Sequence, residues 1–486
     1  MVRARAAAIC VALLAFAPAA QAQPQIVERL RLQGGYITEQ RPAPAPRVED
    51  FWVGAVPELS ATWLTPRATV NITYSLTGAL HSLGSASEVA NRIILTSAYE
   101  LSRRTSLLLS AEGAQTSTSN FLIQRPAADT AIALYPAAGT RFITGRLTQG
   151  LRHELSPVLV ASQDASALTM TTLAPAPPLD TFVASVGGGL ERLWRNDAVG
   201  FNVRGGYALT RATPPTPSTD VFTVTAAPRW RHDWTQTLTS SVEAGGTYLF
   251  SADPNAEPVI APYGQAMLLY SMDPTTVDLS YRIGVFPSPL TGQILRSQQV
   301  VLHALTPISE HHRVYIGGSI GYLRATLLDL VSTANDQSFH AFYSDIDLAW
   351  QASARVRVFG RYQTIAQLAD VNAAGVNPSF LRDAVLVGVQ FSSENAQITI
   401  PTRFAQRVDG ADAPLRPDAQ QRAAAGLEDG REGAEERPRT ERGEDGTSTS
   451  GGAVEGLPGM WRTRPSRPAG EQPGQPDRPP ANPPPR

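Results

Sequence analysis

Apolar and polar residues alternate with a period of two from about residue 28 to residue 393. Val70, Ile72, Tyr74 and Leu76 alternate with Thr69, Asn71, Thr73 and Ser75. Val199, Phe201, Val203, Tyr207 and Leu209 are interleaved with Asn202, Arg204 and Thr210, and Val277, Leu279, Tyr281, Ile283 and Val285 with Asp278, Ser280 and Arg282. The same spacing recurs at Val314, Ile316, Ile320 and Tyr322, and again at Val356, Val358 and Tyr362. A period of two puts alternate side chains on opposite faces of an extended strand. No stretch of helical periodicity competes with it, so the pattern predicts an all-β chain.

The punctuation predicts the connectivity. Very short breaks fall at Thr65-Pro66-Arg67, Ser102-Arg103-Arg104, Ser156-Pro157, Arg195-Asn196-Asp197, Thr235-Gln236, Asp273-Pro274, Ser309-Glu310-His311 and Ala352-Ser353-Ala354. Turn-forming residues between alternating segments mark hairpins. Longer connections rich in Pro, Ala and Thr, such as residues 174–179, 214–220 and 330–337, separate one hairpin from the next. Eight hairpins give sixteen strands. A weaker first strand near residues 28–38 and a last one ending at Phe391 raise the number to eighteen. The glycine clusters Gly187-Gly188-Gly189, Gly205-Gly206, Gly245-Gly246 and Gly317-Gly318 sit within strands with no helix after them, which predicts bulges or tight curvature and excludes phosphate loops.

The last strand is the most telling. Val385, Val387, Val389 and Phe391 lie on one face, and Ala384, Leu386, Gly388 and Gln390 on the other. With its apolar face ending in an aromatic, it resembles the closing strand of Gram-negative bacterial outer-membrane β-barrels. The resemblance extends over residues 28–391 and is porin-like. It implies a transmembrane antiparallel up-and-down β-barrel of about 16–18 strands, outer-membrane lipid around it, and barrel-assembly machinery that reads the closing-strand phenylalanine. Here Phe391 is internal, because a long tail follows. Such barrels keep their short turns on the periplasmic side, so the resemblance places residues 394–486 in the periplasm.

Composition refines the picture at the two ends. Arg3 and Arg5, an apolar run over residues 9–16 and Ala20-Gln21-Ala22 form an export signal with cleavage before Gln23. Cys10, the single cysteine, lies inside it, so thiol chemistry is excluded from the mature chain. Residues 394–486 are dense in Pro, Gly, Arg and Glu and nearly free of β-branched and aromatic residues, which predicts a disordered tail. Its one apolar island, Leu457-Pro458-Gly459-Met460-Trp461, is a candidate contact for a periplasmic partner. The domains expected are therefore a signal peptide (1–22), a barrel (23–393) and a tail (394–486). The net charge of −2 argues against nucleic-acid binding. No histidine spacing forms a metal motif, and no cofactor is called for.

Chemistry is therefore expected on the inner wall. The candidate lumen-lining residues are Arg204, Arg229, Arg231, Asp278, Arg282, Arg313, Asp345, Asp347, Arg355, Arg357 and Arg361, with Arg92, Arg146, Arg152, Glu100, Glu112, Glu154 and Glu243 on matching faces. Asp345 and Asp347 are expected to meet Arg355, Arg357 and Arg361 across the hairpin at residues 352–354. The resemblance implies a channel for hydrophilic solutes or for an exported polysaccharide. A non-conducting scaffold whose tail binds envelope partners is the alternative, and an outer-membrane hydrolase a weaker one.

Overall fold

In the computed structural model the described residues are 23–41, 47–82, 88–117, 141–173, 179–212, 219–253, 256–272, 274–287, 294–309, 313–328, 337–369 and 379–393. The export signal and the tail lie outside them, as does His311-His312. Every regular element among the described residues is a strand: β1 Gln25–Gln40, β2 Val48–Thr65, β3 Ala68–His81, β4 Glu88–Ser102, β5 Thr105–Ser117, β6 Arg141–Ser156, β7 Leu159–Leu173, β8 Leu179–Leu193 and β9 Asp197–Ala212 in the first half. The second half contains β10 Thr219–Asp233, β11 Leu238–Ser251, β12 Val259–Met272, β13 Thr275–Pro287, β14 Ile294–Pro307, β15 Val314–Leu328, β16 Gln337–Ser353, β17 Val356–Ala369 and β18 Phe380–Ser392.

Each strand pairs antiparallel with its sequence neighbours, and β1 pairs with β18, closing an 18-stranded barrel. All eight breaks read as tight turns are hairpins, and the weak first strand is real. Its pattern was faint because Gly34 and Gly35 interrupt it, yet it forms the closing seam. Both chain ends of the barrel meet at the short-turn mouth. There the amide of Ser393 donates to the carbonyl of Glu28 at 2.9 Å, and the Glu28 amide donates to Ser393 Oγ at 2.9 Å.

The two faces divide by polarity. Val385, Val387 and Phe391 are exposed on the outer face, together with Val199, Phe201, Val203, Leu279, Tyr281, Ile316 and Ile320. Val389 shares that face and is half-buried. A closed sheet leaves no unpaired edge, and an apolar exterior matches hydrocarbon. The fold is a transmembrane antiparallel β-barrel.

Aromatics bound the apolar band at two levels. Trp194, Trp230, Trp234, Trp350 and Phe391 are exposed near the short-turn end. Near the other end, rings touch across strands: Phe182–Tyr207 at 6.4 Å, Tyr207–Phe222 at 4.9 Å and Phe222–Phe250 at 5.2 Å between centroids. On β10, Phe222 and Trp230 mark the two levels. Eight residues of strand cover about 26 Å, or roughly 20 Å along a barrel axis tilted ~40° from the strands. That is close to the ~25 Å apolar band of such barrels. Trp63 lies outside this girdle and packs against the buried Val70 and Leu95.

The glycine clusters contain no bulges. Register shifts occur only beside turns, at Glu100/Ser102, Glu154/Ser156 and Gln351/Ser353. The glycines instead make room for a neighbouring chain. A Cβ at Gly245 would collide with the Ala226 carbonyl and Ala227, next to Pro228, which has no amide to donate to the ladder. A Cβ at Gly187 would meet Asp164 and Arg204. Elsewhere an aromatic ring occupies the space a Cβ would take at an inward glycine, as Trp52 does at Gly35, Tyr343 at Gly321 and Phe359 at Gly388.

At Gly388 an added Cβ would lie 2.5 Å from Phe359 Cζ and 2.7 Å from the Leu32 carbonyl oxygen. Overpacking of this kind costs about 1–3 kcal/mol. Gly388→Ala is therefore expected to lower the temperature at which the folded, fast-migrating form is lost on electrophoresis. An unchanged transition would contradict the packing at this seam.

Candidate functional site

The inner wall has two zones. Nearer the short turns lies a belt of charged and polar side chains. Arg29 Nη1 donates to Glu58 Oε1 at 2.6 Å, Arg92 Nε to Glu112 Oε1 at 2.9 Å, and Arg204 Nη2 to Asp164 Oδ2 at 3.2 Å. Arg361 Nε donates to Asp347 across the β16–β17 hairpin, one of the contacts expected there, whereas Asp345 is in register with Gln363 and Arg357 with Gln351. Half-buried pairs like these contribute at most about 1 kcal/mol each. Their larger effect is on the wall's field, because each pairing cancels a charge locally.

Register aligns several residues into rows. Arg229, Glu243, Gln265, Arg282 and Gln299 lie side by side across β10 to β14. Buried Glu243 accepts from Asn202 Nδ2 at 3.1 Å and Gln265 Nε2 at 3.2 Å. Asp278, His303, Ser319 and Asp345 form a second row across β13 to β16. All four are buried; His303 Nδ1 is 3.6 Å from Asp278 Oδ2, and Ser319 Oγ donates to Asp345. Ser319 is the serine of Gly317-Gly318-Ser319-Ile320-Gly321, but it lies inside β15 and not on the strand-to-helix turn that a nucleophile elbow needs, and its hydroxyl serves a carboxylate.

The structure places Arg204, Arg229, Arg231, Asp278, Arg282, Asp345, Asp347, Arg357 and Arg361 on inward-facing positions of their strands. Arg313 and Arg355 differ: both are exposed at the short-turn rim, one just before β15 and the other in the β16–β17 turn. Arg313 ends the six-residue connection 308–313 and Arg355 lies in the two-residue turn 354–355, so neither is on the wall. The nearby triplet His340, Ser344 and Asp345 does not converge either. His340 is exposed on the outer face against Tyr322 Oη at 2.6 Å, whereas Asp345 is buried inside.

Nearer the long connections the inward face becomes an apolar collar. Leu295, Leu323, Leu327, Phe339 and Ala341 pack together, as do Val221, Leu249 and Ala261, and as do Ile37, Trp52, Ala79 and Leu386. Phe142, Met170 and Ile365 are equally buried. At the collar's outer edge His81 Nδ1 lies 2.5 Å from Asp50 Oδ2 and its Nε2 lies 3.6 Å from Glu88 Oε2, with Ser117 Oγ donating to Glu88 at 2.7 Å. Among the described residues no cluster of His, Cys, Asp and Glu has the arrangement of a metal site.

Three features escaped sequence reading: Arg29, Arg31 and Trp52. The first two belong to the weak first strand. Trp52 points inward, whereas barrel tryptophans are expected outside; its signal is the glycine opposite, Gly35, which frees space for the indole.

The barrel and its charged interior thus define the class, a transmembrane β-barrel with a polar inner belt. No family model matches the chain, and no curated protein matches it. Among solved structures it is similar to OpdQ of Pseudomonas aeruginosa (9% identity, TM-score 0.41, covering 76% of this chain and 98% of that one). It is also similar to P. aeruginosa OccK2 (OpdF) in complex with glucuronate (9%, TM-score 0.42, 76% and 98%) and to Acinetobacter baumannii OccAB4 (12%, TM-score 0.39, 76% and 99%).

Asp347 neutralises Arg361 in the belt. Asp347→Asn removes that negative charge, so ion selectivity measured as a reversal potential across a salt gradient is expected to shift toward anions. An unchanged reversal potential would show that this part of the wall does not face the conducting path.

Proposed function

We propose that this protein is an outer-membrane channel that passes small hydrophilic solutes and favours anions. The supporting observation is the closed barrel of 18 strands with an apolar exterior and an inner belt of ion pairs. Barrels of 16–18 strands enclose an aqueous lumen. A wall of alternating acids and arginines keeps that lumen wet and orders passing ions by charge. The anion preference rests on the arginines of β1 and β17, which outnumber the acids beside them. In this reading the short turns face the periplasm, residues 1–22 direct export, and residues 394–486 serve contacts with periplasmic envelope partners.

The collar favours a second reading. Its inward side chains are buried on strand after strand, from Phe142 through Val221, Leu249, Leu295 and Phe339 to Ile365. A barrel closed at that level would be a non-conducting scaffold. Conductance of the purified protein in planar bilayers, with and without residues 394–486, separates the two. Discrete conductance steps are expected from both forms under the channel reading. Silence from both would overturn it, and steps only from the shortened form would make the tail a blocker.

A further inference from the structure

The belt contains two arginines that its acids leave unmatched. Arg31 on β1 and Arg357 on β17 both pair in register with Gln390 of β18, so the three side chains form one inward row, Arg31–Gln390–Arg357. Neighbouring strands are ~4.8 Å apart, which puts the two arginine backbones roughly 10 Å apart with the glutamine between them. The acids acting on these arginines are Glu58 and Asp347. Each is already held by another guanidinium, Glu58 by Arg29 and Asp347 by Arg361. The Nε of Arg357 is buried and has no hydrogen-bond partner among the described residues.

Local packing holds this row in place. Phe359 lies across Gly388, and Arg31 is stacked over that ring with its Cζ 5.7 Å from the centroid. A stacked guanidinium is oriented while its N–H edge stays free. Two like charges are kept close, each sharing its nearest acid with another guanidinium, beside a neutral amide that can donate. Such a set of donors suits a small anion with a planar or tetrahedral oxygen array.

We propose that Arg31, Gln390 and Arg357 form a binding site for the oxyanion group of a small solute, a carboxylate or a phosphate, and that the bound anion clamps the barrel seam. This deepens the channel reading by naming the solute chemistry. It also adds a consequence that conduction alone does not have. The three residues lie on the first, last and penultimate strands, so an anion held by all of them bridges the one ladder that closes the barrel. The row sits only a few residues from the short-turn mouth, on the open side of the collar. A ligand can therefore reach it from that mouth whether or not the collar conducts.

The test uses the full-length purified protein in detergent with succinate, inorganic phosphate or glucose at constant ionic strength. Succinate or phosphate is expected to raise the temperature at which the folded band is lost, saturably, while glucose leaves it unchanged. A response to one anion and not the other assigns the oxyanion as carboxylate or phosphate. Arg31→Gln and Arg357→Gln are each expected to weaken the apparent Kd about 10- to 100-fold, the usual effect of losing a charge-assisted hydrogen bond. Arg324→Gln, on the exposed outer face, should leave it unchanged. No saturable shift with either anion, or an equal shift in the double variant, would overturn the site. Because this readout needs no current, its failure is separate from failure of the channel reading, which shows only as absence of conductance.

Discussion

The pairing of β1 with β18 is the constraint on which the rest depends. Hydrocarbon offers no partner for a peptide group, so a sheet in a bilayer is viable only without edges. The ladder from Arg29↔Ser392 to Gln40↔Leu381 removes both edges at once. Closure then fixes which residues face lipid and which face the lumen, because pleating leaves no further freedom. Val385 and Val387 lie outside for the same reason that Leu386 and Gln390 lie inside.

Closure also explains the uneven inner wall. The belt spreads opposite charges over many strands and matches most of them locally. The collar packs mainly Leu, Phe and Ile, with buried Arg382 in register beside Ile365. Glycines without Cβ atoms leave room for rings against the wall: Trp52 at Gly35, Tyr343 at Gly321 and Phe359 at Gly388. A lumen filled in this way is shaped by side chains that lean across strands, as much as by strand number.

Much of this was legible in the sequence, for physical reasons. Hairpin turns are local, so all eight could be read from Pro, Ser, Asn and Asp between alternating segments. Face assignment follows from period two, which is why Arg361 and Asp347 could be paired across their hairpin. Non-local geometry was not legible. Arg204 reaches Asp164 over the glycine at 187, two strands away, and no sequence spacing encodes that. The Arg31–Gln390–Arg357 row joins opposite ends of the barrel domain. Arg313 and Arg355 were placed on the wall because alternation was extended one residue too far into their turns. The glycine clusters were read as bulges or tight curvature, and the close approach of neighbouring chains at them was missed because a strand pattern does not reveal what lies across it.

The seam has one more consequence, which concerns how the barrel forms and fails. Seventeen of its ladders join strands adjacent in sequence, so each can close as a hairpin or a short addition with little loop entropy. The eighteenth joins residues as far apart as Glu28 and Ser393, a separation of 365. It is the natural last step of folding, since its two strands are joined by the longest loop. Half of that ladder is the weak strand containing Gly34 and Gly35, so the lateral strength of the whole wall is set by its least regular segment.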